Sequence, residues 1–179
     1  KRSSLMRVIL LFISSFISSS DLSELLIKNQ EFSSDIIIFD SESIVSKGSM
    51  SYIKGDFVYS IDHPSKQILA GLEGKLFIQD DDFKQVMVYD DDDSFLIRKL
   101  LFDSYEHEEL SCVFKCYKLN INDERISDAI IIFEDNLLHE IHILNFQNNK
   151  FLVKFENFVH ESTNIIYMPP DGYEIIAND

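Results

Sequence analysis

From Gly48 onward, short apolar runs are cut by turn residues so regularly that few folds remain open to the chain. SYIKGDFVYSID, KQILAGLEGKLFIQ and FKQVMVY are bounded by Gly55-Asp56, His63-Pro64-Ser65, Gly71 to Gly74 and Asp80-Asp81-Asp82. Strand signals at about 8–12-residue spacing indicate an antiparallel sheet, sandwich or barrel. A parallel sheet would need crossover helices between its strands, and none is visible. The rhythm resumes at Leu110–Leu119 and continues through Ala129–Phe133, Leu138–Phe146, Phe151–Phe158 and Ile165–Tyr167. Glu134-Asp135-Asn136 and Gln147-Asn148-Asn149 supply turns between these segments.

Two stretches follow a helical period instead. In SFLIRKLLF, residues Phe95, Leu96, Ile97, Leu100 and Leu101 form a 3.6-residue stripe behind Ser94, a natural N-cap. A helix that interrupts a meander must pack across one face or one mouth of the sheet. Earlier, Asp21-Leu22-Ser23-Glu24 has the spacing of a capping box, and Leu22, Leu25 and Leu26 share a face, so a short amphipathic helix is expected up to about Gln30. The Ile-rich run Phe32–Phe39 then reads as a strand, and the polar stretch with Gly48 as its turn.

The first twenty residues differ from the rest. Lys1, Arg2 and Arg7 are their only charges, and VILLFISSFI precedes Ser18-Ser19-Ser20. This is the pattern of a secretory signal cut near Ser20, and the apolar run is about half the roughly 20 residues a spanning helix needs. The expected organisation is a signal peptide over 1–20 and one domain over 21–179. The net charge of −15 would become −18 once the three N-terminal cations are removed. Such a field repels phosphate backbones and anionic lipid surfaces, which argues against nucleic acid as a partner.

Cys112 and Cys116, the only cysteines, lie far from the cleavage point, so the chain lacks the acylated cysteine of a lipid-anchored protein there. If both sit on one extended strand, four residues span roughly 13 Å, too far for a disulfide, and two buried thiols are expected.

No catalytic set emerges. No serine occupies a glycine elbow, neither cysteine has a histidine near it in sequence, and Gly71 to Gly74 joins strands rather than opening a helix. His139 and His142, three apart in a strand, should face opposite sides and hold no metal. The runs Asp80–Asp82 and Asp90–Asp93 lack the alternating ligands of a calcium loop and read as solvated turns or charge before a helix. Neither enzyme activity nor a cofactor is expected.

What remains is apolar surplus: 45% of residues are hydrophobic, including 15 Phe and 7 Tyr. Such residues either fill a core or line a cavity, and periodicity alone favours the core. The order of segments points further. GSMSYIKGD resembles the Gly-x-hydrophobic strand and basic turn of the LolA family of outer-membrane lipoprotein carriers. Phe57, Tyr59, Pro64 and Gln67 resemble that family's aromatic pair, proline and strand-opening glutamine. LFIQDDDFKQV is similar to its aromatic-aspartate turn and Lys-Gln-Val, SFLIRKLLF falls where its lid helices stand, and IIYMPPDGYEII resembles its closing strands.

The resemblance spans nearly the whole chain after the signal. It implies a mainly β fold with helices, an incomplete antiparallel β-barrel (half-barrel) covered by a helical lid, LolA-like. It also implies a monomeric periplasmic chaperone that binds the acyl chains of lipoproteins. These would come from an inner-membrane lipoprotein-releasing transporter and pass to an outer-membrane lipoprotein receptor. By motif position, Phe57, Tyr59 and Phe77 stand for cavity or rim aromatics, Leu96, Ile97 and Leu100 for the lid, and Lys54 for the arginine of the family's Arg-Pro turn. Lys54-Gly55 departs from that turn, because lysine lacks the planar multi-donor fork of arginine, and Gln79 replaces a usual tyrosine. The alternative is a sensor or adaptor of the same shape that binds acyl chains without shuttling them.

Overall fold

The computed structural model describes residues 20–90, 95–160 and 164–178. The signal segment before residue 20, Ser94 and Asp91–Asp93 lie outside the described residues. Helix α1 (Ser20–Lys28) leads into β1 (Glu31–Asp40), β2 (Ser43–Ile53), β3 (Asp56–His63), β4 (Gln67–Leu72), β5 (Lys75–Asp80) and β6 (Gln85–Tyr89). Helix α2 (Leu96–Phe102) follows, then β7 (Glu106–Leu110), β8 (Lys115–Asn120), β9 (Asp128–Glu134), β10 (Leu137–Leu144), β11 (Lys150–Val159) and β12 (Glu174–Asn178).

All twelve strands join one sheet in the order β12-β6-β5-β4-β3-β2-β1-β11-β10-β9-β8-β7. The two end strands do not meet, so the sheet curves without closing. This is the expected half-barrel, mainly β with two covering helices.

Alternation assigns the faces. Phe57, Gly71, Leu76 and Tyr89 stand in one row across β3 to β6, and Tyr59, Leu69, Ile78 and Met87 in the next. Phe32 pairs with Tyr52, and Tyr52 with Phe57, which carries the same face into β1 and β2. This inner face continues through Ile36, Phe155, Val153, Ile141, Ile131 and Tyr117, and it forms one buried cluster with Leu22, Leu25, Ile97, Leu100 and Leu101 of the helices. The end of α1 is fastened by Asn29, whose Nδ2 donates to the carbonyls of Leu25 (2.8 Å) and Asn136 (3.0 Å) while Leu138 N–H donates to its Oδ1 (3.2 Å). A buried amide with both ends satisfied fixes the helix without an orphan polar group.

Five sequence expectations change. Gly48 lies within β2, not in a turn, at a bulge opposite Ile61, where a β-carbon would run into the Ser60 carbonyl. Leu110–Leu119 is not one strand: β7 ends at Leu110, residues 111–114 turn, and β8 starts at Lys115. Cys112 therefore sits in the turn, 6.1 Å Cα to Cα from Cys116, and the two form a disulfide instead of two thiols. The 13 Å separation required an extended chain that a hairpin turn does not provide. Ile165–Tyr167 is not a strand but part of a segment laid on the outer face, and β12 beyond it pairs with β6 in parallel, the one parallel pair among the described residues.

The last concerns β10. A register shift between Leu138 and Glu140 leaves both Leu138 and Ile141 buried, so the alternation slips by one residue. His139, Glu140 and His142 then share the outer surface: His142 Nε2 lies 2.7 Å and His139 Nε2 3.8 Å from the Glu140 carboxylate. The expected opposite faces are lost to the bulge. No metal-binding group of three such residues occurs among the described residues.

Candidate functional site

The site worth considering is the aromatic part of the inner face and the short helix that covers it. Phe57 and Tyr59, two apart on β3, point inward and are 0% and 1% exposed. Phe57 faces Gly71 across the β3–β4 pair, and its ring lies where a β-carbon on Gly71 would be. Glycine at that position leaves room for an aromatic ring to lie flat on the sheet.

Helix α2 supplies the other half. Phe95, at its N-cap, stacks on Phe57 with ring centroids 4.4 Å apart and lies 6.3 Å from Tyr59. Ile97 and Leu100 are buried beneath the helix, whereas Leu96 packs at the margin, partly buried. The side chains of α2 thus occupy the space over Phe57, and the Phe57 and Tyr59 rings are buried beneath them. The Tyr59 hydroxyl reaches the Ser46 hydroxyl at 2.8 Å. Burial pushes the Tyr59 pKa up, partly offset by that hydrogen bond. Tyr52, also fully buried, is raised further by burial, against the opposing charge of Arg98.

Of the expected residues, the structure brings together Phe57, Tyr59, Ile97 and Leu100, with Leu96 at the edge. Phe77 is elsewhere. It pairs with Ala70 and Val88 on the outer face, where its ring meets Tyr167 at 5.4 Å. Period-two alternation required that Phe77 and Leu76 face opposite ways, and the register with Phe57 decides that Leu76 is the inner one. Gln79 shares the outer face: buried at 4% exposure, it donates from Nε2 to Asp81 (2.7 Å) and accepts from the Tyr167 hydroxyl (3.0 Å). Asp81 also accepts from Tyr173 (3.2 Å), so Gln79 and Asp81 tie down the C-terminal segment.

Lys54 does not join the helix. It has a positive φ of 49° in the β2–β3 turn, and its ammonium pairs with Glu31 (2.9 Å) on the exposed surface. The contact between this turn and the helix runs in the opposite direction. Arg98 of α2 donates from Nε to the Gly55 carbonyl (2.9 Å), and its guanidinium lies 5.1 Å from the centre of the Phe102 ring. The arginine is on the helix and the acceptor is in the turn.

A second polar anchor holds the far side. Lys99 Nζ contacts Asp123 Oδ2 at 3.0 Å, in the β8–β9 connection, and Arg125 grips the same carboxylate through Nη2 (2.8 Å) and Nε (3.0 Å). The Arg125 side chain holds the Asp123 carboxyl well below the usual range despite its burial, with help from the Arg125 amide and Lys99. Sequence reasoning missed Phe95 as a site residue although it belongs to the apolar stripe. It missed Arg98, Lys99 and Asp123 because no local signal links positions so far apart in the chain.

No protein-family model matches the chain. No curated protein matches it either. Solved structures do. An uncharacterized conserved protein from Thermus thermophilus aligns with a TM-score of 0.59 at 8% identity, over 88% of this chain and 99% of that one. MucB aligns with a TM-score of 0.53 at 10% identity over 88% of this chain, and the MucA/MucB complex of Pseudomonas aeruginosa with 0.50 at 13% over 82%. The chain spans 65% and 58% of those two chains, about three fifths of their length. Identities this low establish the fold alone, and that fold is the open, helix-covered sheet of LolA-like proteins.

Proposed function

We propose that the protein is an exported carrier of acylated proteins, which shelters acyl chains between helix α2 and the inner face around Phe57 and Tyr59. The cargo would be taken from an inner-membrane releasing transporter and handed to an outer-membrane receptor, by a monomer and without catalysis. The observation that carries this reading is the construction of the cover. A seven-residue helix buries Ile97, Leu100 and Leu101 below and is held by polar contacts at its sides, so it can lift as a unit.

The energetics fit transfer better than storage. Burying roughly a dozen methylenes of one acyl chain is worth about 0.8 kcal/mol each, which by itself would make release slow. Re-docking of Phe95, Ile97 and Leu100 reclaims the same surface at about 1.5–3 kcal/mol per side chain, and this competition lowers net affinity to a value a receptor can overcome. The disulfide between Cys112 and Cys116 supports an oxidising compartment, and the N-terminal signal pattern supports export to the periplasm.

A test is extraction of lipoprotein from spheroplasts by Phe57→Glu. A carboxylate on the inner face should abolish loading, with circular dichroism of the same sample establishing that the variant tested is folded, because Phe57 is fully buried. Undiminished extraction by that variant removes the carrier assignment. A second reading, a sensor or adaptor that binds acyl chains without shuttling, draws on the likeness to MucB, solved in complex with MucA. It predicts acyl-probe binding with no extraction from spheroplasts by the wild-type protein.

A further inference from the structure

Arg98 and Lys99 are adjacent on α2 and so diverge by about 100° around the helix axis. They reach two loops that the sequence keeps far apart: Arg98 the β2–β3 turn at Gly55, Lys99 the β8–β9 connection at Asp123. Between them the helix presents Ile97, Leu100 and Leu101 to the core. The two anchors differ in kind. The first is a hydrogen bond to a carbonyl beside the exposed ring of Phe102, and the second is an ion pair to a carboxylate whose side chain is 6% exposed.

Asp123 does not depend on the helix for its position. Its Oδ1 accepts from the Arg125 amide (2.8 Å) and Arg125 Nε (3.0 Å), its Oδ2 from Arg125 Nη2 (2.8 Å), and its own backbone pairs with Ile126. Removing one partner of a buried ion pair is ordinarily costly, because an uncompensated charge stays behind. Here Arg125 goes on neutralising the carboxylate after Lys99 leaves. Lys99 is only partly buried, so its ammonium rehydrates quickly. Such a contact holds a helix firmly and still opens reversibly.

We infer that Asp123, preset by Arg125, is a latch that keeps helix α2 closed over Phe57 through Lys99. The latch regulates the same site as the acyl-carrier reading and rests on that reading only for what enters once the helix lifts.

The experiment is amide hydrogen exchange of the whole protein as wild type, Asp123→Asn and Lys99→Gln, with Lys118→Gln as control. Lys118 forms a similar ion pair with Asp128 at 2.9 Å, away from α2. Exchange at residues 99–103 should rise about tenfold in both latch variants, as expected for losing a charge-assisted contact. It should stay unchanged in β1, β11 and the control. Unchanged exchange at 99–103 in both latch variants overturns the inference. So does an equal rise across β8 and β9, which would make Asp123 merely a support of its own loop.

Binding of N-phenyl-1-naphthylamine, read by fluorescence, separates this from the carrier reading. Faster exchange with tighter probe binding supports both. Faster exchange with no probe binding by any variant keeps the latch and removes the acyl site, while equal probe binding with unchanged exchange removes the latch alone.

Discussion

Replacing Gly71 by alanine tests the centre of the proposed site with a single methyl group. Gly71 is an ordinary strand residue in β4 without a positive φ, so its backbone does not itself require glycine. Reducing the freedom of the unfolded chain would, by itself, stabilise the protein by about 0.4–1 kcal/mol. The ring of Phe57 reverses the sign. A β-carbon there would meet three carbons of that ring, which is fully buried and stacked on Phe95 at 4.4 Å. Forcing the ring aside costs about 1–3 kcal/mol of overpacking, and losing the stacking geometry about 0.5–1.5 kcal/mol more. The net expectation is destabilisation of about 2 kcal/mol, or about 4–8 °C in Tm for a chain of this size.

Urea denaturation followed by far-ultraviolet circular dichroism reads this directly, and a double-mutant cycle with Phe57→Ala isolates its cause. Phe57→Ala alone should cost about 3–5 kcal/mol. In that background Gly71→Ala has nothing to strike and should be neutral or mildly stabilising, giving a coupling of about 2–3 kcal/mol. Wild-type stability for Gly71→Ala, or additivity in the cycle, would refute the placement of the ring over Gly71.

Arg98→Gln removes a charged hydrogen bond and a cation–aromatic contact, together about 2 kcal/mol of helix docking. If helix and ligand compete, binding of a naphthylamine probe should tighten by up to about thirtyfold. Burial works to raise the Glu140 pKa, but the hydrogen bond from His142 and the charge of Lys154 outweigh it and hold it below its ordinary 4.5. A depressed carboxylate stabilises the fold above its unfolded pKa, and that contribution disappears as pH falls through the folded value. Glu140→Gln should therefore be less stable by about 1 kcal/mol at pH 7 and should close the gap with wild type below pH 4.5, in denaturation series from pH 7 to 3. Cys112→Ser opens a five-residue loop and should cost up to about 2 kcal/mol by the chain-entropy estimate, with the loss reproduced by reducing the wild-type protein.

Much of this protein follows from its local sequence. The hairpins from β2 to β6 and from β9 to β11 are set by alternation and by turn residues such as Lys54-Gly55, Glu73-Gly74 and Asp135-Asn136, all of which take positive φ values. The stripe Phe95 to Leu101 set α2, because a 3.6-residue apolar period has no other economical fold beside a sheet. These signals reach only a few residues along the chain.

What the tertiary structure decided lies beyond that reach. Alternation made Leu76 and Phe77 face opposite ways, but only the register of Phe57 against Gly71 turned Leu76 inward and gave Phe77 to Tyr167 on the outer face. The bulge at His139 brought two histidines to one carboxylate, and the turn at 111–114 turned two expected thiols into a disulfide. The resemblance pointed to Lys54 at the helix-facing turn, yet the guanidinium that reaches across is Arg98, and Asp123 holds the other side. A short-range pattern specifies which segments curl, extend or turn. Which side chains meet across 24 or 43 residues of chain is settled only when the sheet has curved and the helix has landed on it.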